Sequence, residues 1–242
     1  MIRFKTQHLL PLLACLIVSL GACSENEKRP PPTAPSTTPP TAPPPVYESS
    51  KIESSLLRVT DLGKKWTEGD VIDAFKERGL RGCSDSRIKL PGRPKVTTEK
   101  FGAPKFETTG ANYARLVAVY PDAAQAADAM TGIGESLRKC PKERKVPLKK
   151  LPKDKFIYPH NDTWELTEQE TSGWSHLKGF EKVTYPSSVS IINVIYFSYD
   201  YVQRGNVVFS SVYWRRVKPK ESRKPIAEKA AELLTEQLKR FG

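Results

Sequence analysis

A run of prolines divides this 242-residue chain into a part that cannot pack and a part that can. Nine prolines lie among the 16 residues from Pro30 to Pro45, interleaved with threonine and serine. Proline fixes φ and lacks an N–H, so such a run favours extended polyproline II and adds nothing to a core. We predict a linker over residues 23–50, whose proline-rich part reaches about 50 Å. Residues 51–242 are enough for one domain with its own core.

The residues before the linker have the pattern of an export signal. Two basic residues precede an apolar segment from Leu9 to Leu20, which is shorter than the roughly 20 residues that span a bilayer. The segment ends in Leu-Gly-Ala-Cys at 20–23, which resembles the lipobox of bacterial lipoproteins, whose cysteine is acylated and becomes the new N-terminus. The resemblance implies a signal peptide over residues 1–22 and a lipid (palmitate-type) anchor on Cys23. The domain would then face outward from the cell membrane; an ordinary secretory signal is the alternative.

Two cysteines, Cys83 and Cys140, remain in the domain beyond the lipobox. In an oxidising compartment two such cysteines most simply form a disulfide, which stabilises the fold by about 4 kcal/mol in the chain-entropy model. A nucleophilic or redox thiol is the alternative, but neither cysteine belongs to a Cys-x-x-Cys motif or has a histidine nearby in sequence.

Hydrophobic periodicity predicts both helices and strands in the domain. Helices are predicted over 71–78, 122–139 and 223–241, and strands over 114–120, 164–167, 179–185, 189–202 and 207–217. The last two strands are joined around Gly205-Asn206, a typical hairpin turn. We therefore predict an α+β fold, in which a twisted antiparallel sheet carries the helices on one face and one disulfide closes the domain.

The order of these elements resembles a known family. Leu-Leu at 56–57 and Thr-Asp-Leu-Gly at 60–63 precede Trp66, and a strand then leads into an alanine-rich helix ending at Cys140. A long hairpin and a closing helix follow. This order is similar to that of the extracytoplasmic sensor domains of bacterial serine/threonine kinases of the PknH type, and of related stand-alone lipoproteins. The resemblance implies a sensor-like domain over most of residues 51–242. Those kinase domains carry two disulfides, whereas one cysteine pair is present here, and no ligand-binding motif carries over.

Positive charge is concentrated in two segments. Residues 138–155 contain nine basic and two acidic residues, and residues 215–224 contain six basic ones. For an outward-facing domain the anionic partners are lipid headgroups or cell-wall polymers; the location and the lack of interleaved aromatics argue against nucleic acid. A solvated basic loop is the alternative. The candidate anion-binding residues are Arg138, Lys139, Lys142, Arg144, Lys145, Lys149 and Lys150.

The sequence contains no recognisable catalytic, metal or cofactor motif. His160 and Asp162 supply two possible metal ligands, fewer than a site needs, and we interpret them as part of a solvated loop. There is no Gly-x-Ser-x-Gly elbow, phosphate loop or dinucleotide motif. We therefore expect no cofactor, no metal and no catalytic residue.

The aromatic residues of the strands suggest a different role, since most pack in a core while a few can line a cleft for a sugar or an apolar ligand. They are Trp164, Trp174, Tyr196, Tyr199, Tyr201, Tyr213 and Trp214. The function expected is a non-enzymatic lipoprotein that binds or senses a ligand at the cell envelope. A cell-envelope hydrolase with an unrecognised site is the alternative, and the sequence leaves a protein partner open.

Overall fold

The computed structural model describes residues 43–103 and 110–242, without the side chain of Asp85. The predicted signal peptide, Cys23 and most of the proline-rich linker lie outside the described residues. No helix within the described ranges is long and apolar enough to cross a membrane. Residues Ala42–Gly242 form one compact unit, which begins before residue 51, the start of the domain in the sequence analysis.

Four helices and twelve strands make up the described part of the chain. The helices are α1 (Ser49–Ser54), α2 (Val59–Leu62), α3 (Ala123–Arg138) and α4 (Lys224–Phe241). The strands are β1 (Thr67–Gly69), β2 (Gly79–Arg81), β3 (Arg87–Lys89), β4 (Lys95–Gly102), β5 (Ala111–Val119), β6 (Glu143–Val146), β7 (Lys149–Lys150), β8 (Phe156–Ile157), β9 (His160–Thr171), β10 (Trp174–Thr184), β11 (Val194–Arg204) and β12 (Val207–Val217).

One antiparallel sheet organises the domain. Within the described residues its eight strands follow the order β1-β4-β5-β12-β11-β10-β9-β6, and every neighbouring pair is antiparallel. The hairpin β11–β12 at its centre turns at Gly205-Asn206, where Gly205 has φ +53°, a conformation that glycine adopts at little cost. The pairs β2–β3 and β7–β8 form two small separate sheets. The predicted α+β class with an antiparallel sheet is confirmed.

The two long helices lie on opposite faces of the sheet, which corrects the expectation of helices on one face. Ile133 of α3 belongs to the same apolar cluster as Phe197 and Tyr199 of β11. Leu233 of α4 packs in a different cluster with Tyr196 of the same strand. Because successive strand residues point to opposite faces, β11 carries apolar side chains on both faces. Each face of the sheet is therefore buried by a different helix.

Several predicted boundaries change in the structure. The helix predicted over 71–78 is a 3₁₀ turn, Asp73–Arg78, in which Glu77 and Arg78 have positive φ, so an α-helix cannot continue. The two short strands predicted over 164–167 and 179–185 are parts of the long hairpin β9–β10. The strand predicted from residue 189 begins at Val194. The basic segment 138–155, interpreted mainly as a loop, contains strands β6 and β7.

The predicted disulfide is confirmed. Cys83 and Cys140 are bonded, with their Cα atoms 6.0 Å apart. Cys83 begins a 3₁₀ turn, Cys83–Asp85, after β2, and Cys140 follows the end of α3. Asp122 begins α3 by accepting a hydrogen bond from the Gln125 backbone N–H, as expected for an N-cap. The disulfide therefore fixes the turn at residues 83–85 to the end of this helix.

A buried arginine joins the N-terminal segment to the sheet and to α4. Arg115 of β5 is 2% exposed and donates hydrogen bonds to Glu99 Oε2 at 2.8 Å, to Gln237 Oε1 at 3.1 Å and to the Leu57 carbonyl oxygen. Gln237 in turn accepts from the Leu57 backbone N–H at 3.0 Å. A buried charge is tolerated when its donors are satisfied in this way.

The two ends of the sheet differ in what they carry. At one end lie the turn at Gly205-Asn206 and the β9–β10 turn, and the N-terminal segment is attached there, since Asn206 Oδ1 accepts from the Tyr47 backbone N–H at 2.7 Å. At the other end lie the connections 147–159, 185–193 and 218–223, because residue 146 pairs with 160, residue 161 with 184, and residue 194 with both 184 and 217. We call this the loop end.

Candidate functional site

A cavity of about 260 Å³ lies beside the sheet, close to the loop end and the disulfide. Strands β9, β10 and β11 form its floor. Its walls come from Arg81 and Ser84 around the 83–85 turn, from Arg144 of β6 and from the segment that contains β8. The cavity therefore gathers side chains that are far apart in sequence, and two of those on its floor are acids.

The two acids, Asp162 and Glu181, occupy inward positions on adjacent strands. Asp162 is opposite Val183, and Glu181 is opposite Trp164. Both carboxyls therefore lie on the same face of the sheet as the buried Trp164. Asp162 is 4% exposed and Glu181 is 0% exposed. Burial of a carboxylate is costly unless it is hydrogen-bonded, so the partners of each acid decide its role.

Glu181 is satisfied by the protein itself. Its Oε1 accepts from the Ser84 backbone N–H at 2.6 Å, and its Oε2 accepts from the Tyr199 hydroxyl at 2.6 Å. Burial raises the pKa of the Glu181 carboxyl, and the Tyr199 hydrogen bond and the nearby Arg81 oppose this only in part. Both oxygens are engaged, so Glu181 holds the 83–85 turn in place.

Asp162 keeps one carboxylate oxygen free of any hydrogen bond. Its Oδ2 accepts from the Ser84 hydroxyl at 2.8 Å and from Arg144 Nη2 at 2.9 Å and Nε at 3.2 Å. Its Oδ1 is buried and has no hydrogen-bond partner in the described part of the chain. Buried polar atoms without a partner are rare in folded proteins, which makes Asp162 Oδ1 the outstanding atom of this cavity.

The neutral imidazole of the neighbouring His160 does not donate a hydrogen bond to Asp162 Oδ1. His160 Nε2 lies 3.3 Å from Asp162 Oδ1, outside hydrogen-bond geometry. His160 Nδ1 lies 2.7 Å from the Tyr158 carbonyl oxygen, and since a carbonyl oxygen only accepts, Nδ1 carries the proton. In the neutral ring Nε2 then has a lone pair and no hydrogen to donate. With Nδ1 as the protonated nitrogen, a donor for Asp162 Oδ1 is therefore either a water molecule or a ligand.

Aromatic rings and a second arginine complete the walls. The Arg81 guanidinium lies over the Phe197 ring, 4.4 Å from its centroid, and Arg81 Nε donates to the Tyr199 hydroxyl at 3.1 Å. Phe156 and Tyr158 also line the cavity and are 46% and 52% exposed. The cavity thus combines flat apolar faces with fixed donors and one free acceptor, the usual composition of a small-molecule site.

A second buried polar group lies elsewhere in the sheet. His176 Nε2 is 3.0 Å from Asp200 Oδ1, and His176 Nδ1 is 2.8 Å from Thr171 Oγ1 and 3.1 Å from Gln169 Nε2. Both ring nitrogens are engaged by the protein, and Thr171 ends β9 at the turn into β10. We therefore interpret this group as a support for the β9–β10 turn.

The seven candidate anion-binding residues do not share one site. Arg138 pairs with Glu168 at 2.6 Å, Arg144 pairs with Asp162 at 2.9 Å, and Lys150 pairs with Asp154 at 3.0 Å. Arg144 is the member of this set that lines the cavity. Those that are exposed and make no ion pair with a described residue are Lys139, Lys142, Lys145 and Lys149.

The cavity residues differ from those that the sequence singled out. Most of the aromatic residues considered for a cleft are core residues: Trp164, Trp174, Tyr196, Tyr199, Tyr201 and Tyr213 are buried. The prediction of a solvated loop at 160–162 was wrong, because His160 begins β9 and Asp162 is buried. The signal for this was present in the sequence, since Asp162 alternates with Trp164 and Leu166.

No family model matches this chain, and no curated protein matches it. Among solved structures it is similar to the extracellular domain of PknH from Mycobacterium tuberculosis, with 9% identity over 81% of this chain and 98% of that one and a TM-score of 0.49. It is also similar to a putative uncharacterized protein (Rv0999 ortholog) from Mycobacterium smegmatis, with 10% identity over 78% and 94% of the two chains and a TM-score of 0.39. These values describe a distant likeness of overall fold and bear on neither ligand nor activity.

Proposed function

We propose that this chain is an outward-facing, lipid-anchored protein that binds a small hydroxylated ligand, such as one sugar unit of an envelope glycan, without transforming it. The observation that carries the proposal is Asp162 Oδ1, a buried acceptor without a hydrogen-bond partner in the described part of the chain, on the floor of a cavity of about 260 Å³. A ligand that donates a hydrogen bond to this atom removes the cost of leaving it unpaired.

The surroundings of Asp162 favour a hydroxylated ligand over a simple anion or cation. Arg144, which lines the same cavity, uses Nε and Nη2 on Asp162 Oδ2, so its Nη1 is a donor that is not used on this carboxylate. A hydroxyl group both donates and accepts, so neighbouring hydroxyls suit this pair of protein groups. The C–H faces of a sugar ring suit the flat walls formed by Phe156 and Tyr158. The two buried acids would repel a simple anion, and the two arginines would repel a simple cation.

The contacts of the acids also favour binding over hydrolysis. A glycosidase of the usual kind needs two carboxyl groups that both reach the scissile bond. Both oxygens of Glu181 are engaged by Ser84 and Tyr199, which leaves one free oxygen, that of Asp162. The raised pKa of Glu181 is the feature that the hydrolase hypothesis would use, but both oxygens of this carboxyl already accept hydrogen bonds from the protein.

Calorimetric titration with a panel of monosaccharides and amino sugars tests the binding proposal. Asp162→Asn should weaken the best ligand by about 10- to 100-fold, because a hydrogen bond to a charged group contributes about 1.5–3 kcal/mol. Tyr158→Ser, which removes one wall without touching the buried network, should weaken the same ligand. Glu168→Gln, on the same strand but outside the cavity, is the matched control. Failure of every ligand to bind, or an equal loss in the control, would refute the proposal.

The anchoring part of the proposal has a separate test. Cys23→Ala should abolish incorporation of labelled fatty acid into the protein in the expressing cell and should release the domain from the membrane fraction. A variant that still incorporates label would show that Cys23 is not the lipidated residue. This outcome would leave the cavity proposal untouched, since no residue of the cavity is altered.

A further inference from the structure

Large apolar side chains are exposed together at the loop end of the sheet. Of the six described large hydrophobic residues with high exposure, one is Val46, beside the attachment of the N-terminal segment. The other five belong to the connections 147–159 and 185–193: Leu148, Phe156, Tyr158, Val189 and Ile191. Leu148 is 60% exposed and Ile191 is 79% exposed. Scattered exposed apolar residues are ordinary, whereas a concentration at one end of a domain marks an interaction surface.

Positive charge is concentrated at the same end. The connections 147–159 and 218–223 contain seven basic residues and two acidic ones, and the connection 185–193 contains no charge. Lys149 pairs opposite Ile157 in the small β7–β8 sheet, and Lys150 pairs opposite Phe156. The two basic segments, which are distant in sequence, therefore both lie at the loop end, together with the exposed apolar side chains.

This combination fits the surface of an anionic lipid bilayer. Lysines gain about 1 kcal/mol each near an anionic leaflet, and exposed Leu, Ile, Phe and Tyr side chains partition into the interfacial layer. A purely polyanionic polymer would use the lysines but would gain nothing from Leu148 and Ile191. The exposed aliphatic residues thus favour the bilayer over a charged cell-wall polymer.

The length of the N-terminal segment permits such a contact. The chain joins the domain at Tyr47, at the end opposite to the loop end. Strands of 11 residues are about 37 Å long at about 3.4 Å per residue. The 23 residues from Ser24 to Val46 reach about 70 Å when fully extended as polyproline II. A domain anchored at Cys23 can therefore turn its loop end toward the same membrane.

We infer that the loop end of this domain docks on an anionic lipid bilayer, with Lys149 and Lys150 at the headgroups and Leu148 and Ile191 in the interfacial layer. The inference goes beyond the proposed cavity function, and the four residues altered in its test, Leu148, Lys149, Lys150 and Ile191, do not line the cavity. It gives the anchored domain a second point of contact with the membrane.

Cosedimentation with phospholipid vesicles tests this inference on the chain from residue 23, carrying Cys23→Ser so that no acyl chain contributes. The wild-type surface should bind vesicles containing phosphatidylglycerol and not vesicles of phosphatidylcholine alone. Lys149→Gln with Lys150→Gln should weaken binding about 25-fold, at about fivefold for each lysine. Leu148→Ser with Ile191→Ser should weaken binding at least tenfold and remove the part that persists at high salt.

Matched controls come from the opposite end of the domain. Val46 is 76% exposed, and Val46→Ser should leave vesicle binding unchanged, as should Lys51→Gln with Lys239→Gln. Equal losses in the controls would overturn the inference, since they would show a general charge or hydrophobic effect. Binding to an isolated anionic wall polymer, without binding to vesicles, would overturn it in favour of the polymer. The sugar titration above should be the same in all these variants, so the two proposals fail separately.

Discussion

Removal of the disulfide between Cys83 and Cys140 should destabilise the domain by an amount that follows from its loop. The bonded residues are 57 positions apart, and closing a loop of this length lowers the entropy of the unfolded chain by about 14 cal/mol/K. This corresponds to about 4 kcal/mol at 25 °C. At about 2–4 °C per kcal/mol for a domain of this size, the melting temperature should fall by about 8–16 °C.

The assay is thermal and urea unfolding of the Cys83→Ala, Cys140→Ala double variant, followed by circular dichroism, in a Cys23→Ser background. Alanine is the replacement because Cys83 is buried and a serine hydroxyl would add a polar burial cost of its own. Reduction of the parent protein is the matched control and should give the same loss of stability. A loss below about 1 kcal/mol would refute the reasoning, because the unfolded chain would then gain little freedom when the disulfide is removed.

Three further predictions concern buried groups and a turn. Burial raises the pKa of Glu181 above the ordinary value of 4.5, so the folded state binds this proton more tightly than the unfolded state, and the free energy of unfolding falls as pH rises through the folded pKa. Glu181→Gln should remove this fall in urea unfolding measured at pH 4–8. An unchanged dependence of the free energy of unfolding on pH would contradict the prediction. Arg115→Met should cost about 3 kcal/mol in urea unfolding, because it leaves buried acceptors unpaired, and a loss under 1 kcal/mol would count against this. Gly205→Ala should lower the free energy of unfolding by at least about 1–2 kcal/mol in thermal unfolding, because Gly205 has positive φ and an added Cβ meets the Pro45 carbonyl oxygen. Gly132→Ala is the control: its added Cβ meets no neighbouring atom, so it should not destabilise the domain.

The elements that the sequence predicts well are those with a strong local pattern. Helix α3 begins directly after Asp122, where the predicted helix starts, helix α4 follows its apolar spacing, and the β11–β12 hairpin turns at the predicted Gly205-Asn206. The disulfide follows from a count of two cysteines. The opposite placement of the two long helices is not a local property, although the apolar side chains on both faces of β11 indicate that both faces are covered.

The cavity could not be predicted because its parts are joined only by the fold. Ser84 takes a left-handed conformation, with φ +49°, and thereby directs its amide and its hydroxyl to two different acids. No local pattern announces such a turn at a serine. The sequence after Pro159 favours a solvated loop at Asp162, whereas the decisive pattern is the two-residue alternation of Asp162 with Trp164.

The way in which the chain enters the domain has a mechanical consequence. Tyr47 is held by a pair of hydrogen bonds to Asn206, at 2.7 and 3.1 Å, and its ring stacks on Trp174 with centroids 5.9 Å apart. If Cys23 carries the proposed lipid anchor, tension along the chain that precedes Tyr47 would load these few contacts before it reached the 11-residue ladder between β11 and β12. The segment around Tyr47 would peel away at low force and lengthen the tether, while the sheet, the disulfide and the cavity would stay intact.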